Sequence, residues 1–260
     1  MNDLSVNVGN VRNKNVDLLK LIAIITMVID HLRFIIPAYQ IEFIAVGRVA
    51  FILFACLLAY NAQRIFEVDN KKSIQNYFKN FLILAIVSEI PYRMLMQENA
   101  MGTMNIMFTL FLGYIAITSL SIQGKWYFKY PIFLFVMIFA LEISHKLEYG
   151  FIGVMLIVLY YLYFNSKVLT VKYALIPLIF LFAIMSNAQY YEPVIVVYGF
   201  NSVWVNTMLL GCLLGATLSF YCFSNKCNLS NLKVMKIGKW AWWFYPVHML
   251  IIYLIGYFVL

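Results

Sequence analysis

Long apolar runs constrain this chain more than any other feature, because each is close to the length that crosses a bilayer. An α-helix needs about 20 apolar residues to span the hydrocarbon core, where only helices or closed barrels satisfy the backbone. The runs cover residues 18–36, 43–60, 77–96, 104–121, 130–144, 149–164, 171–186, 203–223 and 241–259. They predict an all-α, polytopic integral membrane bundle of about nine transmembrane helices.

Composition agrees with a membrane location for nearly the whole chain. Of its 260 residues, 64% are hydrophobic and 12% are charged, whereas soluble domains have about 45–50% apolar and about 25% charged residues. The polar residues 1–15 are predicted to form a cytoplasmic N-terminal segment, and residues 16–260 a single transmembrane bundle. The first apolar run is too long for a signal-peptide core, so it is predicted to be a retained helix.

The distribution of lysine and arginine between successive loops predicts the orientation. Of the 19 lysines and arginines, all but Arg33, Arg48, Arg93 and Lys146 fall on the side of the N-terminus. This places the N-terminus in the cytoplasm and the C-terminus outside, in a multi-pass membrane protein. Insertion bias explains the basic side, so the expected partner is the lipid bilayer and not nucleic acid. The stretch 187–202 is left open between a loop and a re-entrant segment.

The first run ends in three ionisable residues at membrane depth, Asp30, His31 and Arg33. Such groups cost about 2.5–3.5 kcal/mol each at a helix centre, and they commonly mark functional sites. Asp30 is expected either to pair with Arg33 or to orient His31.

A stripe of four residues follows one face of the same helix. Lys20 precedes His31 by eleven residues, which returns it to nearly the same face about 16 Å away along the axis. The stripe either lines a path across the membrane or is a packing seam with a snorkelling lysine. Its members are Lys20, Ile24, Met27 and His31.

Further charged residues stand near the ends of other runs on the predicted outer side. Glu89 and Arg93 are spaced i, i+4, which favours a structural ion pair. Two histidines, several acids and three arginines at one depth predict a single polar site. Besides the residues of the first helix, this predicted site includes Arg48, Glu89, Arg93, Glu142, His145 and Glu148.

The last two runs carry one feature each. The final run begins WAWWFYPVHML, with Tyr245 and His248 three residues apart on one helix face. On the predicted topology His248 lies in the inner half of the membrane, opposite in depth to His31, and either a packed structural role or a site role is open. In the preceding run, Gly211 and Gly215 form a GxxxG pattern, which predicts close helix packing.

Motifs of soluble enzymes are absent, since the sequence has no GxSxG, Walker, HExxH or GxGxxG pattern. Cysteine spacing shows no metal or disulfide pattern either, so no metal is expected. The cysteines are Cys56, Cys212, Cys222 and Cys227.

Six short motifs in order resemble the TraX family of membrane proteins. They are DLLKLIAIITMVIDH, GRVAFILFA, SEIPY, NIMFTLFLG, EYGFIGV and FYPVHML, and the resemblance runs from about residue 16 to residue 250. The best-known members acetylate the N-terminus of conjugative pilin, and the resemblance implies a location in the bacterial inner (cytoplasmic) membrane. The family is similar in turn to membrane-bound acyltransferase family 3, whose first helix has an acid, a basic residue three later and a histidine fourteen after the acid. Asp17, Lys20 and His31 match that spacing.

The resemblance implies roles for particular residues. His31 is the implied catalytic histidine, supported by Asp30, and Arg48 belongs to a GRxAFP segment in which this chain has Ile52 in place of proline. The remaining matches are Asn105 and Thr109 to NxxFT, Tyr149, Gly150 and Gly153 to DYGxxG with Glu148 in place of aspartate, and Tyr245, Pro246 and His248 to YPxH.

The function so implied is transfer of an acetyl or short acyl group from cytoplasmic acetyl-CoA, as co-substrate, to an acceptor at the outer side. The acceptor is the N-terminal amine of a pilin or other exported peptide, or a glycan hydroxyl. Neutral His31 would take the acceptor proton or carry the acyl group, and Asp30 would set its tautomer. Supporting or oxyanion roles fall to Arg48, Arg93, Glu89, Glu142 and Tyr149, and the acyl-CoA channel to Lys20, Asn105, Thr109, Tyr245 and His248.

Two other classes remain open on the residues alone. A transporter or flippase also uses intramembrane Asp, His and Glu, as parts of a proton relay. A non-catalytic assembly factor for a surface polymer or secreted peptide would need neither His31 nor Tyr245.

Overall fold

The computed structural model describes residues 13–69, 71–96, 102–121, 126–224, 233–238 and 240–259. Within these ranges the chain is all-helical, with short 3₁₀ turns and no strand. The ten α-helices are α1 (Lys14–His31), α2 (Gln40–Glu67), α3 (Lys71–Met96), α4 (Ile106–Ser121), α5 (Trp126–Glu142), α6 (Gly150–Asn165), α7 (Leu169–Met185), α8 (Ala188–Tyr198), α9 (Val203–Phe223) and α10 (Trp240–Val259).

Three of the described helices are long and apolar enough to cross a membrane. They are Pro37–Glu67, Val203–Phe223 and Trp240–Phe258. The pair α7 and α8 passes the same test as one span, but it is bent by 61° at the break between its two members. The chain is therefore a helical bundle with three to four candidate spans, and the predicted total of nine stays a prediction.

The stretch 187–202, which the sequence left open, contains the short helix α8. This helix follows α7 after only two residues, so it leaves the direction of α7 at the 61° bend. Its last turn and the following loop carry exposed apolar side chains, including Val196, Val197 and Phe200. A bent helix pair of this kind is either a broken span or a re-entrant loop.

Helix α1 is shorter than its apolar run. It begins after Asn13, whose side chain caps the helix by accepting hydrogen bonds from the backbone N–H groups of Asn15 and Val16. An N-cap of this type satisfies donors that have no partner within the helix. The helix ends at His31, and residues Leu32–Phe34 form a 3₁₀ turn. The predicted span 18–36 is therefore too long at its C-terminal end, because the α-helix changes to a 3₁₀ turn after His31.

Helix α2 is the centre of the bundle. It packs against α1, α6 and α9, and its middle residues Phe51, Ile52 and Leu53 are fully buried. A helix that is apolar on all sides is typical of a central position, because no face needs to meet solvent. The same helix carries Arg48, whose side chain is also fully buried. The core of the bundle therefore surrounds one charged group.

The GxxxG pattern in α9 marks a close contact, as predicted. A Cβ atom at Gly211 would lie 2.4 Å from the backbone oxygen of Ala45, and one at Gly215 would lie 3.2 Å from the side chain of Ile52. Both neighbours belong to α2. The two glycines therefore let α9 approach the central helix beside Arg48, because a larger residue would meet backbone atoms that cannot turn away.

Replacing Gly211 with alanine is expected to destabilise the protein by about 1–3 kcal/mol, because overpacking a close contact forces backbone shifts. The measurement is thermal unfolding of the purified protein in detergent. Gly256→Ala in α10 is the matched control, since nothing lies within 4 Å of its Cβ position. Equal melting temperatures for the two variants would contradict the close approach of α9 to α2.

Candidate active site

Two buried histidines meet in the interior of the bundle. His31 ends α1 and His248 lies in α10, and both are nearly inaccessible to solvent. The Nδ1 atom of His31 lies 2.7 Å from the Nε2 atom of His248, within hydrogen-bond distance. Their ring centroids lie 4.9 Å apart and their planes differ by 16°. The pair joins residues 217 positions apart in the sequence.

The prediction that His248 lies opposite in depth to His31 is wrong. The Nζ atom of Lys20 in α1 lies 3.5 Å from the backbone oxygen of Ile237, which precedes α10, so these two residues lie at a similar level. His31 follows Lys20 by eleven residues, and His248 follows Ile237 by the same number. Since α1 and most of the second interval are helical, the two histidines rise to the same level. Helices α1 and α10 therefore run parallel.

Arg48 is held by three partners from three parts of the chain. Its Nε donates to the backbone oxygen of Ile44 at 2.8 Å, its Nη1 to Oδ1 of Asn187 at 3.1 Å, and its Nη2 to Oδ1 of Asp30 at 2.9 Å. The planar guanidinium offers five donors in a rigid fork, which suits a buried position with several acceptors. The burial of this charge is therefore compensated by an ion pair and two further hydrogen bonds.

Asp30 bridges two arginines. Its Oδ1 accepts from Nη1 of Arg33 at 2.8 Å and from Nη2 of Arg48 at 2.9 Å. A Cβ atom at Gly47 would lie 2.2 Å from the same oxygen, so glycine at this position lets the carboxylate reach α2. Of the two options for Asp30, pairing with Arg33 is the one observed.

The expected bond between Asp30 and His31 is replaced by the histidine pair. Successive residues of a helix point about 100° apart, so Asp30 faces α2 while His31 faces α10. Although Asp30 and His31 are adjacent in the sequence, their side chains therefore point towards different helices.

Helix α8 contributes residues that the sequence did not single out. Asn187, just before α8, accepts from Arg48, and the ring of Tyr190 lies against the guanidinium, with the Arg48 Cζ atom 3.5 Å from its centroid. A guanidinium stacked on an aromatic face gains cation–π energy. Neither residue belongs to a motif, and the only signal in the sequence was their position in the ambiguous stretch 187–202.

Glu148 lies in the loop between α5 and α6 and is buried beneath α8. Tyr190 donates its hydroxyl to Oε1 of Glu148 at 2.9 Å, and Gln189 donates its side-chain amide to the backbone oxygen of Glu148. Burial raises the pKa of Glu148 to about 7, although the Tyr190 hydrogen bond and the charges of Arg33 and Arg48 oppose this shift. The loop thus holds a carboxyl group that is partly protonated near neutral pH.

Tyr149, predicted as a supporting residue, packs inside the bundle beside this group. Its ring stacks on Phe51 of α2, with centroids 3.7 Å apart, and its centroid lies 6.1 Å from that of Tyr190. Gly150, which follows it, has a φ of +55°, a left-handed conformation that glycine adopts without the penalty of a Cβ. The EYG sequence therefore turns the chain into α6 and directs Tyr149 inward.

A cavity of about 200 Å³ begins one turn before the two histidines. From α1 it is lined by Lys20, Ile24 and Met27, which are three of the four residues of the predicted stripe. From α10 it is lined by Ala241, Trp242 and Tyr245, whereas His248, predicted as a channel residue, lies outside the lining. The stripe is therefore a cavity wall over most of its length. The apolar remainder of the lining comes mainly from α2, α3 and α4.

One end of the cavity lies at Lys20. Gly238 also lines it, within the segment 233–238 that precedes α10. Asp17 ties this segment to α1 by accepting from the backbone N–H of Ile237 at 3.4 Å. Asp17 and Lys20, three residues apart, are 3.9 Å from each other. Of the matched acid and base of the first helix, Lys20 therefore lines the mouth of the cavity and Asp17 lies beside it.

Asn105 and Thr109 lie outside this lining, although both were predicted to belong to the channel. On α4 the cavity is bounded by Ile106, Met107 and Leu110 instead. Asn105 precedes the helix, where its side chain accepts from the backbone N–H of Met107 at 2.9 Å. Thr109 is fully buried, and its hydroxyl has no hydrogen-bond partner among the described residues. The helical turn places these two polar residues on a different face from the cavity.

Glu89 and Arg93 form the predicted ion pair, with 2.7 Å between Oε1 and Nε. The other carboxylate oxygen of Glu89 accepts from the backbone and side-chain amides of Asn105 at 3.0 and 2.7 Å. The arrangement joins the end of α3 to the start of α4. Arg93 is half exposed. The arginines that contact Asp30 are Arg33 and Arg48.

Glu142 and His145 do not join the buried cluster. Both residues are exposed, Glu142 at the end of α5 and His145 in the following 3₁₀ turn. The prediction of a single charged site is therefore too broad, because it used depth alone and not the direction of each side chain. In the described ranges, no group of three His, Cys, Asp or Glu side chains is placed to hold a metal ion.

Comparison with known proteins gives one match. The model of the TraX family, described as "TraX protein", matches residues 15–256. The chain belongs to the TraX family. The matched range of this TraX chain includes both histidines, the buried arginine cluster and the cavity mouth at Asp17 and Lys20. Searches of curated proteins and of solved structures found no match to it.

Proposed function

We propose that this TraX-family protein is a membrane-embedded acetyltransferase that uses acetyl-CoA and modifies the N-terminal amine of a pilin or another exported peptide. The observation that supports it best is a cavity that is lined by Lys20 at one end and that stops one helical turn short of the histidine pair at the other. A transferase between two compartments needs such a route, because acetyl-CoA arrives on one side and an exported acceptor on the other.

The topology belongs to the same proposal. Nine helices cross the membrane, with α8 as a re-entrant segment, and the N-terminus is cytoplasmic while the C-terminus is outside. The parallel course of α1 and α10 supports an odd number of crossings between them. Lys20 then faces the cytoplasm, and His31 lies towards the outer side.

The cavity mouth is the proposed binding site for the CoA phosphates. Lys20 lines it, and Lys233 and Lys236 are exposed on the segment that ends at Gly238. Ammonium groups bind phosphate as point charges. The apolar wall beyond the mouth suits the pantetheine arm, which would carry the thioester towards Met27 and Tyr245.

His31 is the proposed general base. The acceptor nitrogen attacks the thioester carbonyl, His31 takes the proton from that nitrogen, and the C–S bond breaks as the amide C–N bond remains. The proton then passes to the CoA thiolate, so the products are free CoA and the acetylated peptide. Arg33 and Arg48 both contact Asp30, the residue before His31, so their positive charges are placed to favour the oxyanion of the intermediate.

An amine acceptor fits this chemistry. The pKa of an α-amino group is about 7.7–8.0, so a useful fraction is neutral near pH 7 and one base suffices to remove the remaining proton. The choice of a pilin as the acceptor rests on membership of the TraX family.

The test is incubation of the purified protein in lipid nanodiscs with acetyl-labelled acetyl-CoA and peptides, with CoA release and peptide labelling as readouts. We expect label on peptides with a free N-terminus and none on the same peptides with a blocked N-terminus. Label on a glycan hydroxyl, and none on peptides, would show that the acceptor is a hydroxyl and not an amine. Substrate flux without CoA consumption would favour a transporter and contradict the proposal.

A further inference from the structure

The proton positions in the histidine pair follow from one backbone contact. The Nδ1 atom of His248 lies 2.9 Å from the backbone oxygen of Phe244. A carbonyl oxygen only accepts hydrogen bonds, so the His248 Nδ1 atom must carry the proton of this bond. In a neutral imidazole the other nitrogen is then an acceptor. The Nε2 atom of His248 therefore presents a lone pair to His31.

The same reasoning extends to His31. Its Nδ1 atom faces the lone pair of His248 Nε2 at 2.7 Å, and a hydrogen bond needs one proton between the two nitrogens. His31 must supply it, so its Nδ1 atom carries a proton and its Nε2 atom does not. The Nε2 atom is thus the basic nitrogen of His31.

We infer that His248 is a positioning residue, which holds His31 in the tautomer whose Nε2 atom is free to take a proton. This inference rests on the proposed acetyl transfer and names the reacting atom in it. The carboxylate of Asp30 does not have this task, because it is bonded to Arg33 and Arg48 and the Nδ1 atom of His31 is bonded to His248 instead. A second histidine therefore takes the place that a carboxylate has in a Ser-His-Asp triad.

Packing keeps His248 in the orientation that this role needs. The ring of Phe244 stacks on it, with centroids 5.3 Å apart and planes 6° apart. The backbone bond to Phe244 comes from the preceding turn of the same helix, so it needs no other element of the fold. The donor and acceptor ends of His248 are therefore set by its own helix before any substrate binds.

The tautomer can be read directly by ¹⁵N NMR of the full-length protein with ring-labelled histidine. The chain has only three histidines, and His145→Gln removes the exposed one without touching the site. At alkaline pH, we expect the His31 signals to show a protonated Nδ1 and an unprotonated Nε2. A protonated His31 Nε2 in this sample would overturn the inference, whether or not acetyl transfer is observed.

Two substitutions at position 248 supply the kinetic test. In His248→Gln the amide group extends to the place of the imidazole Nε2, so its oxygen can accept from His31. In His248→Asn the amide reaches only the place of Nδ1, and the acceptor for His31 is lost. A wrong tautomer lowers kcat by about 10⁴ in a serine protease triad, and we expect the asparagine variant to lose at least 10² in kcat.

The KM for acetyl-CoA should remain unchanged in both variants, and glutamine should restore most of the kcat that asparagine loses. A purely structural role would lower both variants alike, with the loss following their thermal stability, and this result would overturn the inference. If neither variant nor the wild type transfers acetyl groups, the proposed function fails and the assignment of the reacting atom fails with it. The NMR result still reports separately on the positioning by His248.

Discussion

Replacing His31 with asparagine is expected to lower kcat for acetyl transfer by about 10²–10⁴, the usual contribution of a general base. The asparagine amide can still donate to His248 from the place of Nδ1, so the buried hydrogen bond of 2.7 Å is kept. What the substitution removes is the ring Nε2 atom. The loss should therefore be in chemistry and not in folding, and it is measured as CoA release with a free peptide N-terminus.

A companion variant, His31→Ala, separates the two effects further. It removes the hydrogen bond as well and leaves a buried acceptor on His248, which costs about 1–3 kcal/mol. We expect this variant to melt earlier than His31→Asn while its kcat is equally low. The exposed His145→Asn is the control and should match the wild type in both measurements. A folded His31→Asn protein with wild-type turnover would falsify the role of His31.

Replacing Arg48 with methionine is expected to destabilise the protein by about 3–5 kcal/mol, the cost of breaking a buried ion pair from one side. The substitution keeps much of the side-chain volume, but it removes the donors to Asp30, Asn187 and the backbone of Ile44. Arg48→Lys should recover little of this loss, because one ammonium cannot reproduce the planar fork. Thermal unfolding and the yield of monodisperse protein are the measurements.

Arg93→Met provides the matched control for this experiment. Arg93 also pairs with a carboxylate, Glu89, at 2.7 Å, but its side chain is 44% exposed. Exposed ion pairs contribute about 0–1 kcal/mol, so the control should unfold near the wild type. A double variant, Asp30→Asn with Arg48→Met, should cost less than the sum of the single changes, because the two residues share one interaction. Equal melting temperatures for Arg48→Met and Arg93→Met would contradict the structural role of Arg48.

Local features were predictable from the sequence, because they depend on neighbours along the chain. The apolar runs predicted the helices that form the bundle, the i, i+4 spacing predicted the Glu89–Arg93 ion pair, and the GxxxG pattern predicted the approach of α9 to α2. The stripe from Lys20 to Met27 was also placed on one face, and this face lines the cavity.

The candidate site was less predictable, because contacts between distant helices decide it. The depth of His248 was misjudged, since nothing in the final run shows that its helix starts level with Lys20. The partner of Asp30 could not be chosen between Arg33 and His31 without the direction of each side chain. Asn187 and Tyr190 went unnoticed, because an asparagine and a tyrosine in an ambiguous stretch carry no pattern.

The long separation of the paired histidines also has a consequence for how the protein is made. The ribosome adds about 5–20 residues per second, so the 217 positions between His31 and His248 correspond to a delay of about 10–40 s at that rate. During this interval α1 is already synthesised while its partner helix does not yet exist. The imidazole pair is therefore completed only after α10 emerges, and a chain interrupted before α10 has no such pair.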